Sequence, residues 1–154
     1  MTHDVSCCNL ALVLGAGLSA IAALLHVGII FGGAPWYRFF GAGEKFAQAA
    51  LKGHGWHDVL TLGIAIILGV WAAYALSGAG VGLGVQLPWL RQILWLITAV
   101  YLLRGIAGFG LLLTRQTGYS VQFIVVSSLI CLAVGVVHWV GIWQTSSWRL
   151  THAV

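Results

Sequence analysis

The sequence predicts an all-α membrane protein: a four-helix transmembrane bundle with an interfacial amphipathic helix between the first and second spans. Three observations carry this. Of 154 residues, 60% are hydrophobic and only 6% are charged, against about 25% charged in a soluble domain. The stretches 5–37, 59–90 and 116–148 hold no Asp, Glu, Lys or Arg, and each exceeds the roughly 20 residues that a membrane helix needs. Runs such as LGIAIILGVWAAYAL (62–76) do not alternate polar with apolar residues. That excludes a barrel, the other structure able to span a bilayer. So apolar a chain is not disordered, and residues 1–154 read as a single integral membrane domain.

The first span is expected at about 9–33 and the second at 57–78. The third, 88–113, is interrupted by Arg91 near its start and by Arg104 inside it. The fourth is expected at 119–144. Glycine spacing, with Gly15, Gly17, Gly28, Gly32, Gly105 and Gly108 in the spans, predicts close helix approach, and the Gly28–Gly32 pair has the spacing of a dimer contact. The glycine-rich 78–88 loop lacks the preceding strand and the lysine of a phosphate loop. It is expected to be a turn, with Pro88 opening the third helix.

The first connection is longer. Between Gly43 and Lys52, Phe46, Ala47, Ala50 and Leu51 share one helical face, and Lys45, Gln48 and Lys52 another. With Trp36, Tyr37, Phe39 and Phe40 ahead of it, this segment (43–52) reads as a helix lying in the membrane interface. Four basic residues on that side, Arg38, Lys45, Lys52 and Arg115, against Arg91 and Arg149 on the other, predict that it is cytoplasmic and that the termini face outward. The basic residues form no stripe, so no nucleic-acid partner is expected.

Candidate site residues follow from the cost of charge inside a bilayer. Arg104 lies about 13 Å from the end of its span, on the 1.5 Å rise per residue. His26 lies near the same level in the first helix, Asp58 and His57 open the second, Gln122 opens the fourth, and Tyr101 is one turn from Arg104. Glu44 belongs to the interfacial helix. The expectation is one polar layer in one half of the membrane, with Arg104 held by Glu44 or Asp58, since a guanidinium fork suits a carboxylate. His26, Glu44, Asp58, Tyr101, Arg104 and Gln122 would line it, and Trp36 and Tyr37 would form its lip. His138, beside Trp139, is expected in an aromatic belt with Trp143 and Trp148.

Such a layer predicts binding of the head of a lipid, quinone or similar amphiphile. One alternative is a redox or isomerase-type enzyme using His26 or His57 with Glu44 or Asp58. Another is an accessory subunit, alone or as a homo-oligomer, within a larger membrane complex. No cofactor is expected. The alternatives are a metal at His54 and His57, whose three-residue spacing brings imidazoles together on a helix, or a haem.

Four short-linked helices with a long first connection, and the stretch HVGIIFGGAPWYRFFGAGEKFA (26–47), resemble small bacterial inner-membrane proteins of the DoxX-like kind. The resemblance covers the chain in helix plan and 26–47 in detail. It implies a bacterial inner membrane and carries over no activity and no catalytic residue.

Overall fold

The computed structural model describes residues 8–53, 55–81, 87–114 and 119–151. They form five helices: α1 (Leu10–Phe39), α2 (Glu44–Leu51), α3 (Trp56–Gly78), α4 (Leu90–Thr114) and α5 (Val121–Thr151). All but α2 are long and apolar enough to cross a membrane. The chain is a multi-pass membrane protein, and α2 is the expected interfacial helix.

Around the bundle the helices follow the order α1, α3, α4, α5, each packing on its neighbours. The interior is apolar, with Leu12, Ala16, Leu68, Ala75, Leu94, Ile97 and Val134 among its buried residues. Most large apolar side chains point outward instead, as Leu24, Phe31, Val59, Leu103 and Leu113 do. That inversion suits a lipid solvent, where the outer surface needs no polar cover.

Close approach uses small residues. A Cβ at Gly105 or Gly135 would strike Leu132 or Leu102 across the α4–α5 seam, and one at Gly15 would lie 2.7 Å from the His138 ring. Gly28 and Gly32 are packed from within their own helix. The Trp36 ring of the same helix folds back over both. It can do so because α1 breaks at Gly33, with φ 60° and ψ −151°. Pro35 clashes with the preceding turn and lacks an N–H, and the glycine absorbs the break. The straight part of α1 therefore ends at the expected position 33, and a further turn and a half continues to Phe39.

At the terminal end Asn9 joins three helices. Its Oδ1 accepts from the Leu12 N–H (3.1 Å), capping α1. Its Nδ2 donates to the Gly141 carbonyl (2.7 Å) and to Thr145 Oγ1 (2.9 Å) on α5. Its backbone N–H donates to the Ala79 carbonyl beyond α3 (3.1 Å). α4 starts at Leu90 rather than at Pro88.

Candidate functional site: a hydroxyl, a carboxylate and an imidazole under the interfacial helix

The turn after Gly33 aims Tyr37 into the bundle. Its ring is buried (1% exposed) with Ile29, Ala34 and Ala47, and Ala47 comes from α2. α2 thus acts as a cap, with Phe46 against the Tyr37 ring (5.9 Å) and the Trp56 ring (5.2 Å). Leu51, expected on the buried face, is exposed, and Ala49 is buried.

The phenol meets the first turn of α3. Tyr37 Oη donates to Asp58 Oδ1 (3.1 Å) and lies 3.0 Å from Thr61 Oγ1. Thr61 donates its own hydrogen to the His57 carbonyl (2.8 Å). The single phenolic hydrogen is therefore shared between Asp58 and Thr61. His57 Nε2 lies 3.0 Å from the same Asp58 Oδ1. Contact with a carboxylate places the imidazole proton on Nε2 and leaves Nδ1 as an acceptor. Nδ1 is buried and has no hydrogen-bond partner among the described residues. The His57 side chain is 3% exposed and that of Asp58 41%. Both donors converge on Oδ1, so the carboxylate meets its surroundings through its other edge.

This arrangement can do two things. The open edge of Asp58 can accept a hydrogen bond from a hydroxyl or an ammonium. The chain from Tyr37 through Asp58 to His57 can hold or pass a proton. A shallow recess nearby, about 150 Å³, is lined by Arg38, Gly41, Gly43, Glu44, Tyr119 and Ser120. It is smaller than the roughly 300 Å³ at which ligand pockets begin.

The expected layer around Arg104 is corrected in its main feature. Arg104 meets neither Glu44 nor Asp58. Glu44 is exposed and pairs bidentately with Arg38 (Nε–Oε2 3.1 Å, Nη2–Oε1 2.8 Å), with Gln48 donating to Oε1 at 3.0 Å. That ion pair holds the Glu44 carboxyl down to about 2. Asp58 is occupied by His57 and Tyr37. Arg104 is exposed on the outer face of α4. At about 100° per residue, position 104 stands at the edge of the seam of Leu94, Ile97, Tyr101, Gly105 and Gly108, roughly 20° beyond Ile97, and its long side chain reaches the surface there.

The remaining candidates disperse. His26 Nδ1 bonds to the Ala22 carbonyl of its own helix (2.8 Å). Trp36 covers Gly32 rather than forming a lip, and Gln122 is exposed. Tyr101 belongs to a second layer, where its hydroxyl bonds Ser19 Oγ (2.9 Å) and its ring lies 5.6 Å from that of His138. His138 is fully buried, so it is not part of an aromatic belt, although Trp139 and Trp143 are exposed. His54 lies outside the described residues. Among them, no three His, Cys, Asp or Glu residues are grouped to hold a metal.

Sequence reasoning missed Thr61, Ser19 and Asn9. Asn9 had a readable signal, an N-cap residue directly before the first apolar run. Comparison with known proteins found no matching family model, no matching curated protein and no matching solved structure.

Proposed function

We propose that this protein binds the hydroxyl-bearing head of a membrane amphiphile, such as a quinol, at the open edge of Asp58. The observation that supports this reading most is the half-exposed carboxylate of Asp58, fixed by Tyr37 and the buried His57 at the rim of the bundle. The outer face of α3 supports it further. Val59, Leu62, Ile66 and Val70 form an exposed apolar stripe running down the helix from Asp58, which is where a tail would lie. Trp56 and Phe46 would flank the head. The helix plan and the 26–47 stretch, similar to DoxX-like proteins, support a bacterial inner membrane as the setting. The basic residues Arg38, Lys45 and Lys52 support a cytoplasmic position for the α2 end.

A short-chain quinol tests this. Trp56 lies 6.1 Å from the His57 ring, so binding should quench its fluorescence saturably. Asp58→Asn should weaken binding about tenfold or more, because the charged acceptor becomes a neutral amide. Unchanged affinity in Asp58→Asn would overturn the reading.

One observation favours a second reading, an acid–base enzyme at the same place. Nδ1 of His57 is a buried acceptor with no partner, next to a carboxylate that fixes its tautomer. An acid–base enzyme would isomerise a carbonyl compound, with His57 taking a proton from one carbon and returning it to another without change of oxidation state, and would lose that turnover in His57→Gln. A binding protein would show no turnover at all.

A further inference from the structure

We propose that Arg104 marks a second and separate lipid site, which holds the phosphate of an anionic phospholipid against the α4–α5 seam. The inference does not rest on the Asp58 site. It starts from charge. The chain has three acidic residues, and the two that are described, Glu44 and Asp58, are engaged by Arg38 and by Tyr37 and His57. Arg104 has no carboxylate partner among the described residues. Val100, one turn before it, and Leu103, next to it in sequence, are exposed apolar side chains. A cation on a lipid-facing surface needs an anion from outside the chain.

The path of the side chain gives the depth. Arg104 Nη1 lies 3.1 Å from where a Cβ of Gly108 would be. The guanidinium therefore runs one turn along α4 toward Thr114, the end that carries α2. Gly108 is six residues from that end, about 9 Å on the helical rise. α4, with 25 residues, is about 37 Å long. It exceeds the roughly 30 Å hydrocarbon core by several ångströms, shared between its two ends. The guanidinium thus sits only about 5–6 Å inside the hydrocarbon boundary, within reach of a phosphate.

A second observation marks the same spot. Ser128 of α5 packs its Oγ into the Gly108 notch. That oxygen is buried with no hydrogen-bond partner. Many helical serines bond back to their own carbonyls; this one turns its hydroxyl to the place where the guanidinium lies. Cys131, one turn further along α5, is within electrostatic reach of Arg104. The missing side chain at Gly108 therefore admits the buried Ser128 hydroxyl just beneath the apolar surface, with the exposed Arg104 cation beside it. Phosphatidylglycerol suits it better than phosphatidylcholine, whose own ammonium competes for the phosphate.

The test is native mass spectrometry of the full chain in mild detergent, titrated separately with phosphatidylglycerol and phosphatidylcholine. The wild type should retain phosphatidylglycerol preferentially. Arg104→Gln should lower that retention about fivefold, the factor expected for one basic residue near a lipid surface, and leave phosphatidylcholine unchanged. Arg104→Lys should keep most of the preference. Retention of phosphatidylglycerol unchanged by Arg104→Gln, or equal losses for both lipids, would overturn the site. A dimer mass that disappears in Arg104→Gln while lipid retention persists would also overturn it and reassign the arginine to a protein interface.

Discussion

Two buried histidines occupy two layers of this bundle, and their neighbours differ in kind. His57 sits beside a carboxylate that reaches the surface. His138 sits among Tyr101, Gly15 and its own helix, with Nδ1 bonded to the Val134 carbonyl at 2.9 Å. Each ring keeps one buried nitrogen without a partner. The His57 ring has the Asp58 carboxylate 3.0 Å from its Nε2. A proton taken up by His138 meets no carboxylate among the described residues, and an uncompensated charge would be costly. The difference teaches that burial of a histidine does not by itself mark a site. The His57 layer is open and carries charge, and it can exchange hydrogen bonds with a ligand. The His138 layer is sealed and holds no carboxylate among the described residues, and apart from His138 Nε2 its polar atoms bond across helices or along their own backbone.

Several measurements can sharpen or break this contrast. The largest effect is expected at the sealed layer. Gly15→Ala forces a Cβ to within 2.7 Å of the His138 ring, which should cost about 1–3 kcal/mol of stability as overpacking. Thermal melting in detergent should fall while quinol affinity stays put. A loss of binding without a loss of melting temperature would show that the sealed layer takes part in function. Asn9→Ala removes a helix cap together with two bonds to α5 and should cost about 1–2 kcal/mol. Its signature is faster hydrogen exchange at the start of α1, where the Leu12 N–H loses its acceptor.

Two hydroxyl deletions compare the layers directly. Tyr37→Phe removes the donor to Asp58 and should cost about 1 kcal/mol and also weaken the quinol. Tyr101→Phe removes only the bond to Ser19 and should cost about 0.6 kcal/mol, the usual worth of a polar contact between membrane helices, with no effect on the quinol. Equal effects on binding would erase the distinction. The smallest effect belongs to the exposed pair Arg38–Glu44. Because the folded Glu44 carboxyl titrates at about 2, below its ordinary 4.5, the pair's contribution is complete above roughly pH 4.5. It is lost as pH falls toward 2. Glu44→Gln should therefore leave melting nearly unchanged at neutral pH, as exposed pairs usually do.

The fold was legible because charge-free runs and lipid dimensions leave few choices. The first span was expected to end at about residue 33, but the break there and its cause, Gly33 followed by Pro35, were read only from the structure. The site was legible only as a set of residues near one membrane end: Tyr37, His57 and Asp58 were in that set and do meet. Arg104 was misplaced because depth along a helix says nothing about direction around it. Arg104 is only about 20° around α4 from the buried Ile97, and α4 is apolar on every side, so no pattern told a seam-edge residue from a core one. His138 was misplaced for the opposite reason. Its partner is the absence of a side chain at Gly15, on a helix distant in sequence.

The division between a ligand layer and a packing layer is tested most directly by the mass that the protein carries out of its own membrane. Native mass spectrometry of the gently solubilised wild type, Asp58→Asn and Tyr101→Phe reads it in one experiment. The prediction is a stoichiometric hydroxyl-bearing amphiphile in the wild type and in Tyr101→Phe, and its loss in Asp58→Asn. The same bound mass in all three proteins, or its loss in Tyr101→Phe alone, would contradict it.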